Sequence, residues 1–585
     1  MRFLPVCLLF LLCVSTGCRH ESEHSETDNL VAFGRLVGYV RFFHPTEAAA
    51  ELDWDKFIAY GCEQVIGCRT SEELEARLNR LFFPIAPTLV LGSPDQLDDG
   101  APPPLSADTV YTFWQHQGVD LKTDQNGGAY ASRRVEVRHG RLQDSLFAAV
   151  PQRRVVVRPL SRDLVCRLPL VLPVEETAPP NSADSLTALM ANIAPYSFDA
   201  RRPESRFANV ITTYNVLRHF YPYFDVVEVD WPEEMRRALI RSVADRTKAD
   251  HVNTLLRMTA ALDDGHVQVR TESQEYFPPI YWEWINDTLT ITRVVDTTLD
   301  ISVGQVVTGI EGMSVDEYFS DVMSILSAGT DGWRAYRSQR QSLSGDRSSP
   351  FPIEVDGVLR RLTRHIPLFE YYPLTKVNQT QHRSYPDGIE YVNLDMISME
   401  ELTDLLPELS RASGLLFDLR GYPNGNHGLI NHLMTQPDTV SAWMKIPQIV
   451  YPDGEEPVGY SPRNWIDFMQ PQAPFLGERP VVFLTDGRAV SYAESFLGFV
   501  KGYGLGTLMG QPTAGANGNV NTLHLPGEIS ITFTGMQVTQ HDGSRLHGVG
   551  IQPDVYLERS VAGVREGRDE FLEAGLNYLR DRRNK

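Results

Sequence analysis

Two stripes of apolar residues at helical spacing occur in the first half of the chain: Leu74, Leu78 and Leu81, then Leu255, Met258 and Leu262. Thr70 and Glu73 precede the first stripe with the spacing of a capping box, in which each side chain bonds the backbone of the other. Both patterns predict amphipathic helices.

The stripes belong to an internal repeat with a constant offset of 177 residues. Residues 41–54 and 218–231 are identical at six of fourteen positions, against roughly one expected from average composition. The copies differ at one position of chemical interest, because Leu89 stands in the first copy where the second has His266. This asymmetry indicates one scaffold copy and one working copy.

Short strand-like runs dominate the regions between and after the repeats. Within residues 86–200, apolar runs at 155–157 and 170–172 are flanked by Arg or Pro, which predicts a small β-rich module. Residues 288–292 alternate as a strand near the start of a further segment, residues 278–370.

The C-terminal segment, residues 371–585, alternates strands with helices. The continuous apolar runs at 414–418 and 481–484 are typical of strands buried on both faces. A turn follows the second run, and Ser491 then stands at the start of a helical pattern over 492–500. We expect α/β layers here.

Length, composition and charge limit the kinds of protein that this chain can be. A chain of 585 residues is too long for one hydrophobic core, so several domains are expected. Hydrophobic residues make up 42% and charged residues 22%, as in ordinary globular proteins. The net charge of -21 would repel phosphate backbones, which makes nucleic acid an unsuitable partner.

The N-terminus has the pattern of an exported protein. Arg2 precedes an apolar run over residues 3–14, which is too short to span a bilayer. The run ends in small residues and Cys18, which resembles a bacterial lipobox with Cys18 as the lipidated residue. This resemblance implies a signal peptide over 1–17, a polar tether over 18–29, and a place in the cell envelope with membrane attachment through lipid alone.

Three cysteines remain after such processing: Cys62, Cys68 and Cys166. An odd number leaves two alternatives open, a Cys62–Cys68 disulfide with one spare thiol or three buried free thiols. The spacing does not suggest a metal site.

Four short motifs follow one another in the C-terminal segment: DLRGYPNG at 418–425, SYAE at 491–494, GQPTAG at 510–515 and GVGIQPD at 548–554. In this order they resemble the DLRGNPGG, SASE, GEPTxG and G-x-x-PD motifs of the tail-specific (C-terminal processing) serine peptidase family. The resemblance implies a crotonase/ClpP-like α/β catalytic domain that acts on peptides or unfolded proteins. It implies no metal or organic cofactor.

The same resemblance implies that Ser491 is the nucleophile and that the backbone N–H groups of Gly425 and Tyr492 stabilise the oxyanion. A serine at a helix start after a buried strand suits this role, since unpaired helix N–H groups can stabilise negative charge. A capping box with Glu494 would also explain Ser491, although it would not explain the other three motifs.

The motifs identify the general base less directly than they identify the nucleophile. Many family members use a lysine in the third motif, and this chain has Ala516 there. His266, in the segment Asp-Gly-His, resembles the histidine base of the branch related to tricorn protease. His547 stands where that branch has a glutamate near the last motif. Three carboxylates remain open as the orienting group: Asp263, Asp264 and Asp542.

Residues 278–370 resemble a PDZ domain, because Gly304 and Gly312 flank an apolar strand in that domain's pattern. PDZ domains bind extended peptide ends at a sheet edge. The complete predicted order is a signal peptide (1–17), a tether (18–29), helical repeat copy 1 (30–85), a β-rich module (86–200), helical repeat copy 2 (201–277), a PDZ-like domain (278–370) and the catalytic domain (371–585). We expect a secreted lipoprotein serine endopeptidase. The alternatives are a catalytically inactive peptide-binding lipoprotein and a serine esterase using the same site.

Overall fold

The computed structural model describes residues 25–98, 106, 108–121, 128–177, 183–439, 443–465 and 469–583. Helices and strands alternate in several packed units, so the predicted mixed α/β, multidomain class is confirmed. Cys18 and the predicted signal peptide lie outside the described residues.

The helices are α1 (Glu26–Phe43), α2 (Glu47–Glu51), α3 (Trp54–Val65), α4 (Ser71–Phe82), α5 (Ala183–Ile193), α6 (Pro203–Phe220), α7 (Trp231–Ala244), α8 (Lys248–Ala260), α9 (Val315–Met323), α10 (Asp331–Gln341), α11 (Leu368–Tyr371), α12 (Met399–Leu409), α13 (Tyr492–Tyr503), α14 (Val561–Arg565) and α15 (Glu570–Arg583). None of these described helices combines the length and the hydropathy needed to cross a bilayer.

The strands are β1 (Val90–Gly92), β2 (Tyr111–Gln117), β3 (Ala131–Arg138), β4 (Arg141–Gln143), β5 (Val155–Pro159), β6 (Val165–Pro169), β7 (Leu172–Pro173), β8 (Gln268–Arg270), β9 (Tyr276–Phe277), β10 (Ile280–Ile285), β11 (Thr288–Val294), β12 (Val307–Ile310), β13 (Met313–Ser314), β14 (Pro350–Val355), β15 (Val358–Thr363), β16 (Ile366–Pro367), β17 (His382–Ser384), β18 (Ile389–Asn393), β19 (Gly414–Asp418), β20 (Met444–Ile449), β21 (Gly459–Arg463), β22 (Val481–Thr485), β23 (Thr507–Gly510), β24 (Val520–Leu525), β25 (Ile529–Thr534), β26 (Gln537–Val538) and β27 (Val555–Tyr556).

The first helix begins inside the segment predicted as a tether, residues 18–29. Ser25 caps α1, because its hydroxyl accepts a hydrogen bond from the Asp28 backbone N–H at 3.1 Å. Asn29 is buried and donates to the Cys68 carbonyl at 2.7 Å. The tether prediction is therefore wrong for residues 26–29, whose polar side chains serve as helix-capping and buried hydrogen-bonding groups.

The sequence repeat is also a structural repeat. Helices α1, α3 and α4 of the first copy begin 177 residues before α6, α7 and α8 of the second. Equivalent positions meet where α1 packs on α6: a Cβ on Gly34 would lie 3.1 Å from Ile211, and Asn215 Nδ2 donates to the Gly34 carbonyl at 2.8 Å. Positions 34 and 211 are themselves 177 apart, so the two copies pack through equivalent positions of their first helices.

Cys62, Cys68 and Cys166 are buried and unpaired. The structure therefore agrees with the second alternative, three buried free thiols.

The region predicted as a β-rich module, residues 86–200, is divided between two sheets. β1, β6 and β5 form one antiparallel sheet, and α5 follows them in the chain. β2, β3 and β4 belong to a seven-stranded sheet that also contains β20 and β21 of the C-terminal segment. This region and the C-terminal segment thus share one sheet.

Residues 278–370 have a β-rich core of their own. β13, β12, β14 and β15 form a four-stranded sheet beside the β10–β11 hairpin, and Trp282, Phe319 and Phe351 are buried between them. Gly304 and Gly312 have φ of 86° and 84°, the left-handed conformation expected at the two predicted turns. The PDZ-like assignment itself stays a prediction.

A six-stranded sheet with the order β17-β18-β19-β22-β23-β27 forms the centre of the C-terminal segment. Its strands are parallel from β18 to β27. Phe417 and Phe483 face the layer that contains α12 and α13, whereas Leu416 and Val482 face α15. Helices on both faces explain why β19 and β22 are continuous apolar runs, as predicted.

A small antiparallel sheet connects the second repeat copy to the C-terminal segment. Its order is β24-β25-β8, and Gln268 of β8 pairs with Thr532 of β25. This register brings His266, two residues before β8, next to the end of β25.

Candidate active site

Ser491 is half-buried at the N-terminus of α13, in the loop that follows β22. Its backbone has φ 56° and ψ −107°, a conformation that residues other than glycine rarely adopt. Hydrogen bonds from its N–H to the Ala516 carbonyl (3.0 Å) and to Glu494 Oε2 (3.2 Å) hold this conformation. A strained serine between a buried strand and a helix is typical of hydrolase nucleophiles.

Glu494 is a buried carboxyl that fixes the loop beside Ser491. It accepts hydrogen bonds from Thr513 Oγ1 (2.6 Å), Gly515 N (2.7 Å) and Ala516 N (2.9 Å). Burial raises the pKa of Glu494 to about 7 in spite of these donors. Glu494 thus positions the third motif against the nucleophile, a role beyond the capping box predicted from the sequence.

The loop around Gly425 contacts the start of α13 on both sides of that glycine. On one side, the rings of Tyr422 and Tyr492 are 5.6 Å apart, and on the other His427 Nδ1 lies 2.5 Å from the Tyr492 hydroxyl. Gly425 has φ 67°, and its N–H has no hydrogen-bond partner among the described residues. The two predicted oxyanion donors, Gly425 and Tyr492, therefore lie on segments that meet at Ser491.

Tyr422 is a site residue that the sequence analysis missed. Burial raises the pKa of the Tyr422 hydroxyl, and the neighbouring Ser491 side chain and Tyr492 backbone oppose this shift. Tyr422 stands in the DLRGYPNG motif at the position where the family pattern has Asn. Its hydroxyl is therefore close to Ser491 and to one predicted oxyanion donor.

His266 is connected to a buried carboxylate through a hydroxyl. His266 Nδ1 lies 2.8 Å from Thr534 Oγ1, and Thr534 Oγ1 donates to Asp264 Oδ1 at 2.8 Å. Asp264 is fully buried and also accepts the backbone N–H groups of His266 (2.9 Å) and Thr534 (2.8 Å). This series holds the imidazole in one orientation and supplies negative charge behind it.

The segments that carry His266 and Ser491 both contact Ala516 of the third motif. A Cβ on Gly265 would lie 2.7 Å from the Ala516 Cβ, and the Ala516 carbonyl accepts the Ser491 N–H. Trp333 Nε1 fixes this segment by donating to the Gly265 carbonyl at 3.2 Å. Within the described chain His266 Nε2 has no hydrogen-bond partner, so this nitrogen remains available for a proton.

The surroundings of His266 favour the neutral imidazole. Burial lowers its pKa from the ordinary value of 6.5, the Asp264 carboxylate opposes this shift, and the Arg337 guanidinium adds to it. A neutral imidazole at pH 7 is the form that can accept a proton.

The other candidates for the orienting carboxylate have different partners. Asp263 forms an ion pair with Arg334 at 3.0 Å, and Asp542 accepts the Ser544 hydroxyl at 2.6 Å. Of the three open alternatives, Asp264 is the one connected to His266.

His547 is a buried residue with aromatic neighbours. Its Nε2 lies 3.2 Å from the Tyr221 hydroxyl, and its ring stacks on Tyr223 at 3.7 Å. Burial lowers the pKa of His547 to about 4. These contacts indicate a neutral, structural histidine behind the site.

Two charged motif residues hold the six-stranded sheet and its helices together. Arg420 of DLRGYPNG bonds Asp418 and Asp569, which ties the end of β19 to the start of α15. Asp554 of the last motif accepts a hydrogen bond from the Leu508 N–H at 2.9 Å. It also forms an ion pair with Lys501 of α13. These motif positions are thus explained by packing of the domain.

One described cluster has the composition of a metal site: His382, Glu390 and Glu408, whose ligand atoms lie within 4.8 Å of one another. His382 Nε2 lies 2.8 Å from Glu390, and the Ser384 hydroxyl lies 2.8 Å from Glu390 and 3.0 Å from Glu408. These mutual hydrogen bonds account for the cluster without an ion.

Comparisons with known proteins support a peptidase fold and activity. Residues 388–557 match the model of peptidase family S41. This stretch contains Ser491, Gly425 and the four motifs, and it supports a peptidase activity. No curated protein matches the chain.

Solved structures of CPAF have a similar fold. Mature CPAF complexed with lactacystin is 13% identical, covers 65% of this chain and 98% of its own, and has a TM-score of 0.51. A mutant form of CPAF is 13% identical, covers 66% and 98%, and has a TM-score of 0.54. At this identity the likeness concerns the fold alone.

Proposed function

We propose that this protein is a serine endopeptidase that cleaves peptides or unfolded proteins. The S41 match supports a peptidase. The series His266–Thr534–Asp264, whose neighbour Gly265 packs on Ala516 beside the strained Ser491, is the observation that carries the serine-type mechanism.

In this mechanism His266 Nε2 takes the proton of Ser491 Oγ as the oxygen attacks the carbonyl carbon of the scissile bond. The C–N bond then breaks as the imidazolium gives its proton to the leaving amine, and an acyl ester remains on Ser491. Water, deprotonated by the same imidazole, hydrolyses the ester, releases the carboxylic acid and restores the serine.

The remaining groups stabilise charge. Asp264 stabilises the imidazolium through the Thr534 hydroxyl. The N–H groups of Gly425 and Tyr492 would bind the oxyanion, each at about 3 kcal/mol of transition-state stabilisation. Ala516 stands where many family members have the lysine base, and His266 serves as the base in its place. The presence of this alternative base favours an active enzyme over an inactive binding protein.

The test compares the wild-type protein with Ser491→Ala on an unfolded, fluorescently labelled protein and on a short ester. Cleavage of the protein by the wild type alone is expected. Ester hydrolysis without proteolysis would favour the esterase alternative. Equal signals from both forms would contradict the role of Ser491, and binding of unfolded protein without turnover would favour the inactive alternative.

We further propose that the protein is a secreted lipoprotein attached through Cys18, which is supported by the apolar run before that residue. Cys18→Ser should move the protein from the membrane pellet to the soluble fraction. Retention in the pellet at high salt would contradict the lipid anchor.

We also propose a PDZ-like, peptide-capturing role for residues 278–370. β15 is an edge strand of its sheet, and Val358 and Leu359 on it are 50% and 51% exposed. Leu359→Asp should slow cleavage of long chains more than that of short peptides. Equal slowing of both would indicate a structural role.

A further inference from the structure

Two cavities meet beside the candidate site. The first, of about 1010 Å³, lies between β8, α10 and α11, and the second, of about 190 Å³, is lined by Trp333, Tyr422 and Val490. Arg340 and Tyr372 line both. We name the joined space the β8 groove, defined by Gln268, Arg270, Arg337, Arg340, Tyr372 and Tyr422.

The β8 groove lies next to the segments that carry both proposed catalytic side chains. β8 begins two residues after His266, and Arg337 Nη1 donates to the carbonyl of the intervening Val267 at 3.0 Å. At the other end, Val490, which directly precedes Ser491, lines the second cavity together with Tyr422. An occupant of the groove is therefore adjacent to both segments.

An extended peptide suits this groove. β8 pairs with β25 on one side and is the edge strand of the described sheet β24-β25-β8. Edge strands bind extended peptides by adding them to the sheet. Phe369 and Tyr372, which are 75% and 43% exposed, offer apolar surface for the peptide's side chains.

Arg340 differs from the other cations of the groove. In the second cavity Lys376 pairs with Asp395, Arg420 with Asp418, and Arg488 with Asp486. In the first, Arg337 is bonded to backbone carbonyls and Arg270 to Gln268. Glu275 also lines the first cavity.

The Arg340 guanidinium, by contrast, is half-buried and has no hydrogen bond or ion pair with any described residue. The chain has a net charge of -21, yet this cation at the junction of two cavities has no carboxylate partner. It is therefore available to bind a carboxylate of a ligand.

We propose that Arg340 is a specificity residue that binds a carboxylate of the substrate peptide lying in the β8 groove. This inference rests on the proposed peptidase function. The carboxylate comes from an Asp or Glu side chain or from the peptide's own C-terminus, and the chemistry recognised is the same.

The test scans one internally quenched peptide with Asp against Asn at each position, and compares its C-terminal acid with its C-terminal amide. We expect the wild-type protein to favour one carboxylate by about tenfold in kcat/KM. Arg340→Gln should abolish that preference, so that the acidic and the neutral peptide are cleaved with equal kcat/KM, and Arg340→Glu should favour Lys at the same place. Arg80→Gln, which alters an exposed arginine of α4 away from both proposed peptide-binding surfaces, is the control and should keep the preference.

Binding separates this inference from the proposed function. Fluorescence anisotropy with the Ser491→Ala protein measures the same Asp and Asn peptides without turnover. A carboxylate preference in binding that disappears with Arg340→Gln supports the inference even if no peptide is hydrolysed. Absence of any preference in the wild type, or a preference that survives Arg340→Gln, would overturn it.

Discussion

The hydroxyl of Thr534 is the most specific target for a test of the site. Thr534→Val keeps the shape of the side chain and removes the oxygen that joins His266 Nδ1 to Asp264 Oδ1, both 2.8 Å away. His266 then loses its orienting partner, and Asp264 loses one of its three donors. The backbone N–H of Thr534 still reaches Asp264 at 2.8 Å, so the strand should keep its place.

The size of the expected loss of activity follows from the positive charge that develops on the His266 imidazole in the transition state. A hydrogen bond to a charged group contributes about 1.5–3 kcal/mol, so kcat/KM should fall roughly 10- to 100-fold. Most of this loss should be in kcat, because the hydroxyl acts on the imidazolium of the transition state. The acid limb of the pH profile should also move to lower pH, since the carboxylate stabilises the imidazolium less.

Thr532→Val is the matched control on the same face of β25. Its hydroxyl donates to the His266 carbonyl at 2.7 Å and does not touch the imidazole. We expect a loss of unfolding free energy of about 1 kcal/mol, measured in urea, and an unchanged pH profile. Equal kinetic losses in the two variants would refute the reasoning, because they would show that both threonines act through stability alone.

Three further predictions concern titration and access. Because burial lowers the pKa of His266, turnover should fall on the acid side below pH 6.5, and an acid limb above 6.5 would contradict this environment. Burial raises the pKa of Glu494 from 4.5 to about 7, so its stabilising effect is fully present below pH 4.5 and is lost as the pH rises through 7. Urea unfolding from pH 4 to 8 should show a decline of about 3 kcal/mol that Glu494→Gln lacks. Tyr422→Phe should raise kcat/KM by about 2- to 10-fold, because the hydroxyl near Ser491 and Tyr492 then no longer competes with substrate for the Tyr492 N–H. A fall would mean that the hydroxyl supports the transition state.

Much of the fold could be predicted from local patterns. The offset of 177 residues is preserved helix by helix. The same capping residue types begin α3 and α7 (Asp) and α4 and α8 (Thr), and apolar stripes orient both copies. β19 and β22 could be recognised as continuous apolar runs, because helices cover both faces of their sheet. The pairing of β2 with β20 could not, because strand partners more than 300 residues apart leave no local signal.

The candidate site was also predictable only in part. Ser491, His266 and the two backbone donors follow from motifs, whereas the choice of Asp264 depends on Thr534, which is 268 residues from His266. A partial signal existed: Ser530, Thr532 and Thr534 form the polar face of β25, opposite Ile529, Ile531 and Phe533. The pattern alone does not say which residue that face meets, because the register with β8 decides it.

The central claim, that His266 activates Ser491, is tested most directly by covalent labelling with a fluorophosphonate. Mass spectrometry should find one adduct per chain on the peptide that contains Ser491. His266→Ala should slow labelling by at least about 100-fold, since general-base assistance typically contributes that much. An adduct on another residue, no adduct on the folded wild-type protein, or equal labelling rates with and without His266 would contradict the account.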